Sequence, residues 1–434
     1  MPTPSLLIVP ARFKTGKLYS QIPTSGAGDF TVTRNTAARR FDSAGLVASV
    51  ASGIPRLDYY TSGGVTGCPA LLVEPAGTNL AFHSETWASG NNWTLDAVTR
   101  VTGSTSAFLA PDGTFTANAL SPTSANVFHG LYSNSSTQNT YISGTIYTQS
   151  AFFKQGTGVA GRYVQLTYTG GGQFTQNGYA NFDLQLGTVA VVSGTSADTN
   201  RAARIENYGN GWYRCSFTAT CNAAGSGIGV LPVLVNASGN TRAQSFAGVT
   251  GDILYGWGAQ LETGSVATSY IPTTAGTGSR SADVVSVSGA VSGSIGQTEG
   301  VLYIECESNN GEDDVFNINR SAANAITVYK NANNSYLGRI YHSSTSIIFT
   351  SASGVTGTVK IAIAYKSGDS TMYLNGSRVG TLNTTAITFG AALNYLGVDK
   401  SSAFFSGIKP SRIRAVALYN TRLTDAELAT LTTL

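Results

Sequence analysis

Charge is scarce in this chain. Lys and Arg number 26 and Asp and Glu 23 among 434 residues, or 11% charged, well under the roughly 25% of an average soluble domain. The net charge of +3 leaves no concentrated basic footprint of the kind nucleic-acid binding needs. The densest basic cluster, Arg34, Arg39 and Arg40, reads as a solvated or interface cluster. No run of about 20 apolar residues exists, which excludes an apolar transmembrane helix. Residues 6–9 are apolar but far too few for a secretion-signal core, and no basic segment precedes them. The expectation is synthesis in a cytosol and, for action outside the cell, release by lysis. Cysteine is rare too: Cys68, Cys215, Cys221 and Cys306, with no CxxC pair. Cys215 and Cys221 could meet across a hairpin, but cytosolic assembly favours free thiols, and buried small hydrophobes are the plain reading. The three histidines, His83, His129 and His342, lie in no zinc spacing. Neither a phosphate-binding loop nor a G-x-S-x-G elbow is present.

What is abundant points to strands. The chain is 42% hydrophobic, 10% aromatic and carries 50 glycines. Thr, Val, Tyr and Phe favour the pleated, half-buried surface, and Gly and Asn supply its turns. The expected fold class is all-β: a small N-terminal β module over 1–80, then two β-sandwiches of jelly-roll type over 81–275 and 276–434, and a short C-terminal helix. A stretch poor in large apolar residues, 273–293, reads as the connection between the sandwiches, with Val284, Val285 and Val287 starting the next strand.

Period-two patterns mark individual strands. Ala180, Phe182, Leu184 and Leu186 alternate with Asn181, Asp183 and Gln185. Leu302, Ile304 and Cys306 alternate with Tyr303, Glu305 and Glu307. Val359, Ile361, Ile363 and Tyr365 alternate with Lys360, Ala362, Ala364 and Lys366. Asn375-Gly376 between two such runs predicts a two-residue hairpin, because a type I′ turn needs positive φ at both central positions. Thr424-Asp425-Ala426-Glu427 fits a helix capping box, followed by Leu428 and Leu431.

The sequence offers little for catalysis. Glycosidases need two carboxylates across a cleft. Glu305, Glu307, Glu312, Asp313 and Asp314 cluster, but as a solvated acidic turn. Ca2+ binding is the alternative for that cluster, which lacks the EF-hand pattern. No cofactor is implied. Aromatic residues among amides matter more, since exposed rings stack on sugar faces while amides bond hydroxyls. The candidate glycan-binding residues are Tyr329, Asn333, Asn334 and Tyr336, with Asn331 in the same turn, and Asn394 and Tyr395. Trp87 and Trp93, near Asn91 and Asn92, could form a second such surface or belong to a core or interface. Trp212 and Trp257 read as core.

Several of these residues carry a resemblance. The run Trp257-Gly258-Ala259-Gln260-Leu261-Glu262-Thr263-Gly264, continuing to Ala267-Thr268-Ser269-Tyr270-Ile271-Pro272-Thr273, resembles the closing strand of bacteriophage tail and fibre sandwiches similar to carbohydrate-binding modules. Gly211-Trp212-Tyr213-Arg214 and Arg280-Ser281-Ala282-Asp283 fit the same pattern. So do Pro55-Arg56-Leu57-Asp58-Tyr59 and Leu71 to Leu80, with Glu74-Pro75. The last third, through Met372 to Val379, Phe405-Ser406-Gly407-Ile408-Lys409 and Ala415 to Leu428, is similar to concanavalin A-like lectin or laminin-G-like sandwiches. The resemblance implies a non-catalytic virion protein of tail-fibre or adhesin type that contacts host surface glycans. A purely structural virion part, such as a capsid decoration, head fibre or tail hub, is the alternative, and a polysaccharide depolymerase the third. It also implies attachment to other virion proteins through the N-terminal module and a homotrimer; the Tyr- and Asn-rich loops at 329–336 and near Asn394 and Tyr395 put the expected ligand surface on the C-terminal domain.

Overall fold

The computed structural model describes residues 2–60, 67–133, 140–168, 172–174, 178–194, 201–308, 313–319, 323–343, 345–399 and 409–434. Phe405, Ser406, Gly407 and Ile408 of the lectin-like motif, and Glu312, lie outside them. The protein is all-β, with one α-helix, Asp425–Thr432, among the described residues. No helix there is long and apolar enough to cross a membrane.

Two sandwiches follow from the alternating strands. In the first, one six-stranded sheet runs Trp93–Asp96, Gly130–Ser133, Pro232–Val235, Tyr163–Thr167, Tyr179–Asp183, Thr188–Ser193. The facing sheet runs Val98–Val101, Asn118–Pro122, Leu254–Thr263, Ile146–Gln155, Trp212–Thr220, Ala202–Asn207. Their inner faces meet around Leu166, Phe182, Phe153, Phe217 and Leu261. Trp87 and Trp93 stack at 5.2 Å within this core, so neither is a surface platform.

The second sandwich pairs an eight-stranded with a nine-stranded sheet. Leu302, Ile304 and Cys306 on Glu299–Ser308, and Val359, Ile361, Ile363 and Tyr365 on Gly357–Lys366, face its core as their alternation predicts. Ala362 and Ala364 are buried as well, because the C-terminal helix covers the sheet's other face through Leu428. The capping box is present: Thr424 Oγ1 accepts from the Glu427 amide at 3.3 Å, and Glu427 Oε2 from the Thr424 amide at 2.8 Å.

The N-terminal segment, 1–80, shares most of its strands with the sheets of the C-terminal sandwich. Leu6–Ile8 and Ala70–Val73 both pair with Ser411–Tyr419 in the eight-stranded sheet. Phe30–Thr33 pairs with Val284–Ser288 in the nine-stranded sheet. Leu6, Ile8, Leu18, Phe30 and Val32 complete the core of the C-terminal sandwich, burying apolar area that a module of this size has little room to bury alone. One hairpin, Ala38–Phe41 with Val47–Val50, keeps a sheet to itself. The first and last parts of the chain are therefore neighbours, which removes the reason for placing attachment at one end and recognition at the other.

Two local expectations were too simple. The alternation at 180–186 stops early: the strand ends at Asp183, whose Oδ1 accepts from the amides of Gln185 and Leu186 at 3.0 and 3.1 Å, turning the chain and leaving Leu186 exposed. The polar face of that strand is also buried. Asn181 donates to the carbonyls of Ser238 and Asn240 and accepts from Gln165, so loop 238–243 packs on it through amides.

Asn375 and Gly376 form the two-residue hairpin, with φ of 49° and 82° and Leu374 opposite Ser377. Gly376 also faces Thr433, whose Oγ1 lies 3.2 Å from where a Cβ would stand. Gly376→Val puts a β-branched residue at positive φ and is expected to cost about 1–2 kcal/mol. An unchanged melting temperature in differential scanning calorimetry would contradict this.

Candidate functional site

The motif residues converge on the seam between the sandwiches. Arg56, from the N-terminal segment, is fully buried. It donates to Glu74 and Asp283, and to Ser269 Oγ at 2.9 Å. Arg34 donates to Asp283 Oδ1 at 3.0 Å and to the Ala51 carbonyl at 2.6 Å. Arg280 lies 3.1 Å from Glu74 Oε2 and bonds Thr268 and Ser269 through their hydroxyls. Ser269 closes the ring, donating its amide to Glu74 Oε1 at 2.8 Å. Burial pushes the Glu74 carboxyl up, but Arg280 and Arg56 outweigh it and hold the group well below the usual carboxylate range. Burial pulls the Arg34 guanidinium down. Nearby, burial raises the Glu262 carboxyl despite its bonds from Thr268 and Gln260. Arg412, in the same eight-stranded sheet as Asp58, donates to it at 2.6 Å. These charges hold three stretches of chain together and, apart from half-buried Arg412, are fully buried, so they are architecture.

Open space flanks this network. A cleft of about 40 Å³ beside Arg204, Glu206, Arg214 and Arg412 has room for a few waters only. On another side runs a groove of two lobes, about 350 and 240 Å³, with Pro272 as a shared wall. One lobe is lined by Glu85, Thr273, Thr274 and Thr277. The other lies between the 38–50 hairpin and segment 270–280, where Thr36, Arg39, Ser49, Tyr270, Ser279 and Arg280 line it. The segment is held rigidly: Gly278–Arg280 pairs with Gly77–Asn79, and Asn79 Nδ2 donates to the Ile271 carbonyl at 2.8 Å. Tyr270 joins the lobes by donating to Glu85 Oε1 at 3.0 Å. Burial and the Glu85 carboxylate push its phenol well up. Burial also raises the Glu85 carboxyl, against the Tyr270 bond and the pull of Arg39.

Arg39 is the unusual member. It is half-buried, and its guanidinium makes no hydrogen bond or ion pair among the described residues. Its neighbours Arg34 and Arg40 are both committed, Arg40 to the Leu57 carbonyl at 2.6 Å. Arg280 also lines this lobe, but it is 2% exposed and committed to Glu74, Thr268 and Ser269. Exposed Thr274, Thr277 and Ser49 supply hydroxyls. The arrangement suits a polyhydroxylated ligand: convergent hydroxyls, a rigid apolar wall at Pro272 and a cation held ready.

The residues expected to bind glycan are scattered. Tyr336 is a core residue, 1% exposed, and Tyr329 is 4% exposed. Both rings are therefore unavailable for stacking at the surface. Asn333 is exposed, but its Oδ1 accepts from the Ser335 amide and hydroxyl and so shapes its own turn. Asn334 takes positive φ of 62° there. Asn394 is exposed and Tyr395 half-buried, and both backbone amides donate to Asn319 Oδ1 at 3.0 Å. That second turn lies beyond the opposite end of the Asn324–Lys330 strand, so the structure does not bring the two groups together. Of the acidic cluster, Glu307 pairs with Arg414 and Glu305 accepts from Tyr303. No group of three potential metal ligands occurs among the described residues. Three cysteines are buried, Cys68 is exposed, and all are free thiols. His129 is buried between the carbonyls of Ala97 and Phe246.

Residues 292–429 match the concanavalin A-like lectin/glucanases superfamily. That stretch is less than half of the chain, and such sandwiches host binders and enzymes alike. No curated protein matches. Among solved structures, the leech intramolecular trans-sialidase is 16% identical over 32% of this chain and 24% of its own, with a TM-score of 0.27. The Ruminococcus gnavus IT-sialidase CBM40 is 15% identical over 32% of this chain and 85% of its own, with a TM-score of 0.28. The binding domain of botulinum neurotoxin DC is 12% identical over 35% and 39%, also at 0.28. The chain thus spans about a quarter of the trans-sialidase it matches.

Proposed function

We propose that the chain is a non-catalytic glycan-binding protein of adhesin type, carried on a bacteriophage particle, and that the two-lobed groove at the seam holds the glycan. The groove is the observation that carries this reading. It gathers hydroxyl-lined walls, Arg39 and a rigid segment around two neighbouring hollows of about 350 and 240 Å³ that share Pro272. The lectin-like match of residues 292–429 supports it. Glu85 is the one carboxyl lining the two lobes among the described residues, whereas glycoside hydrolysis generally uses a pair. The phage setting rests on the resemblance of the Trp257–Asp283 motifs, and with it come a cyclic homotrimer and contacts to other virion proteins. Light scattering on the purified chain checks the trimer.

The test is binding of the labelled full chain to an array of bacterial surface glycans. Thr277→Trp and Ser49→Trp, both at exposed positions, should fill the lobes and weaken binding at least about tenfold with the melting temperature unchanged. Binding that ignores both variants removes the groove, and an empty array removes the glycan reading. One observation favours the purely structural alternative: Arg56, Glu74, Arg280 and Asp283, which carry the virion resemblance, are buried cement. A position in the particle's shell or neck would support that alternative, and a distal position the adhesin.

A further inference from the structure

We infer that the groove selects sugars bearing a carboxylate, with Arg39 as the residue that receives it; this rests on the glycan reading above. The lobe between the 38–50 hairpin and segment 270–280 contains two cationic side chains, Arg39 and Arg280, and no carboxyl group lines it among the described residues. Arg280 is neutralised by Glu74 at 3.1 Å. Arg39 has no neutralising partner within hydrogen-bond distance among the described residues.

That is an uncommon state for a half-buried guanidinium. Burial removes part of its hydration, and the carboxylate whose charge it feels, Glu85, makes no direct bond to it. Of the other arginines at the seam, Arg34, Arg56, Arg280 and Arg412 each face Asp or Glu, and Arg40 and Arg214 are held by carbonyl or hydroxyl oxygens. A planar guanidinium offers a carboxylate two parallel hydrogen bonds, a geometry that an ammonium or hydroxyl does not reproduce. Thr36 and Ser279 stand on the same lobe, and exposed Ser49 adds a hydroxyl. A sugar ring would sit among these hydroxyls with its carboxylate on Arg39. Glu85, in the other lobe, discourages an anion there. The groove therefore has a polarity, acid-accepting at the hairpin and neutral-sugar-accepting beyond Pro272.

Glucuronic acid and glucose test this directly, because they differ only at C6. In a ligand-observed NMR titration of the full chain at neutral pH and low salt, glucuronic acid is expected to bind with a Kd on the order of 1 mM. Glucose should bind at least about tenfold more weakly. Arg39→Gln should bring the two sugars within about twofold of each other. Its melting temperature should stay put, since the side chain makes no bond to lose. Arg39→Lys should retain part of the preference, more at low salt than at high. Equal binding of the two sugars, or a preference that survives Arg39→Gln, overturns the inference and leaves glycan binding standing. Binding of neither sugar, with neutral glycans still retained on the array, also overturns it. An empty array instead removes the glycan reading itself.

Discussion

Asp283→Ala is expected to lower the stability of the protein by about 3–5 kcal/mol, the cost of breaking a buried ion pair by removing one partner. Asp283 is 2% exposed and bridges Arg34 and Arg56, while its Oδ2 also accepts from the Glu74 amide at 2.9 Å. Without it, two guanidinium groups face each other in a space that water does not reach. Burial already pulls the Arg34 guanidinium down, with repulsion from Arg56 adding to it. The exposed Arg378–Asp425 pair gives the contrast, and Arg378→Gln should cost under about 1 kcal/mol. Urea denaturation of the two variants measures both. A loss under about 1 kcal/mol for Asp283→Ala would mean that the network is not what joins the sandwiches.

The same network sets an acid limit. The folded Glu74 carboxyl ionises well below its unfolded value of about 4.3. Its contribution is therefore complete above that unfolded value and is lost as pH falls toward the folded one. Glu262 acts in the opposite direction. Its raised folded value makes its contribution shrink as pH rises from about 4.3 through the folded value. Glu74→Gln should accordingly flatten the decline in melting temperature below about pH 4, on a lower overall stability.

Local features were legible in the sequence because their partners are near in the chain. The Asn375-Gly376 turn needs only its own two residues, and the Thr424–Glu427 box closes within one helical turn. The alternation through Leu302 and Ile304 states which face enters the sandwich core, although the other face is covered as well. Placement of the N-terminal segment was not legible. Leu6–Ile8 is a strand whose partner is Ser411–Tyr419, near the other end of the chain. Nothing in the spacing of Leu6 and Ile8 records that distance. The seam was hidden for the same reason: Arg56 and Asp283 are 227 apart. Arg39 was visible only as one of three clustered arginines. What sets it apart is that Arg34 and Arg40 find partners and it does not. Tyr329 and Tyr336 misled because asparagines surround them. Those amides shape the turn, and the rings on either side belong to the strands it joins.

Trp257→Ala is expected to cost about 3–5 kcal/mol, the usual range for truncating a buried Trp, and to disturb the groove as well. The Trp257 ring is 1% exposed, 4.6 Å from Tyr270 and 5.4 Å from Phe152. Its Nε1 donates to Thr116 Oγ1 at 2.9 Å. The cluster includes Val47 from the 38–50 hairpin and Trp212 from the first sandwich, so it backs the seam from one side as the charged network does from another. Tyr270 rests on this ring and lines the groove next to Arg39. Removing the ring leaves Tyr270 without its support, and its bond to Glu85 should loosen. Trp93→Ala is the matched control. Trp93 is equally buried and stacks on Trp87, but it lies in the core of the first sandwich and lines neither lobe. Both variants should lose several kcal/mol in urea denaturation. Sugar binding, measured at a temperature where each remains folded, should fall at least about fivefold in Trp257→Ala and stay near the parent value in Trp93→Ala. If both variants bind as the parent does, Tyr270 does not need the cluster behind it. If both lose binding alike, the effect is global, and the link from the aromatic cluster to the groove fails.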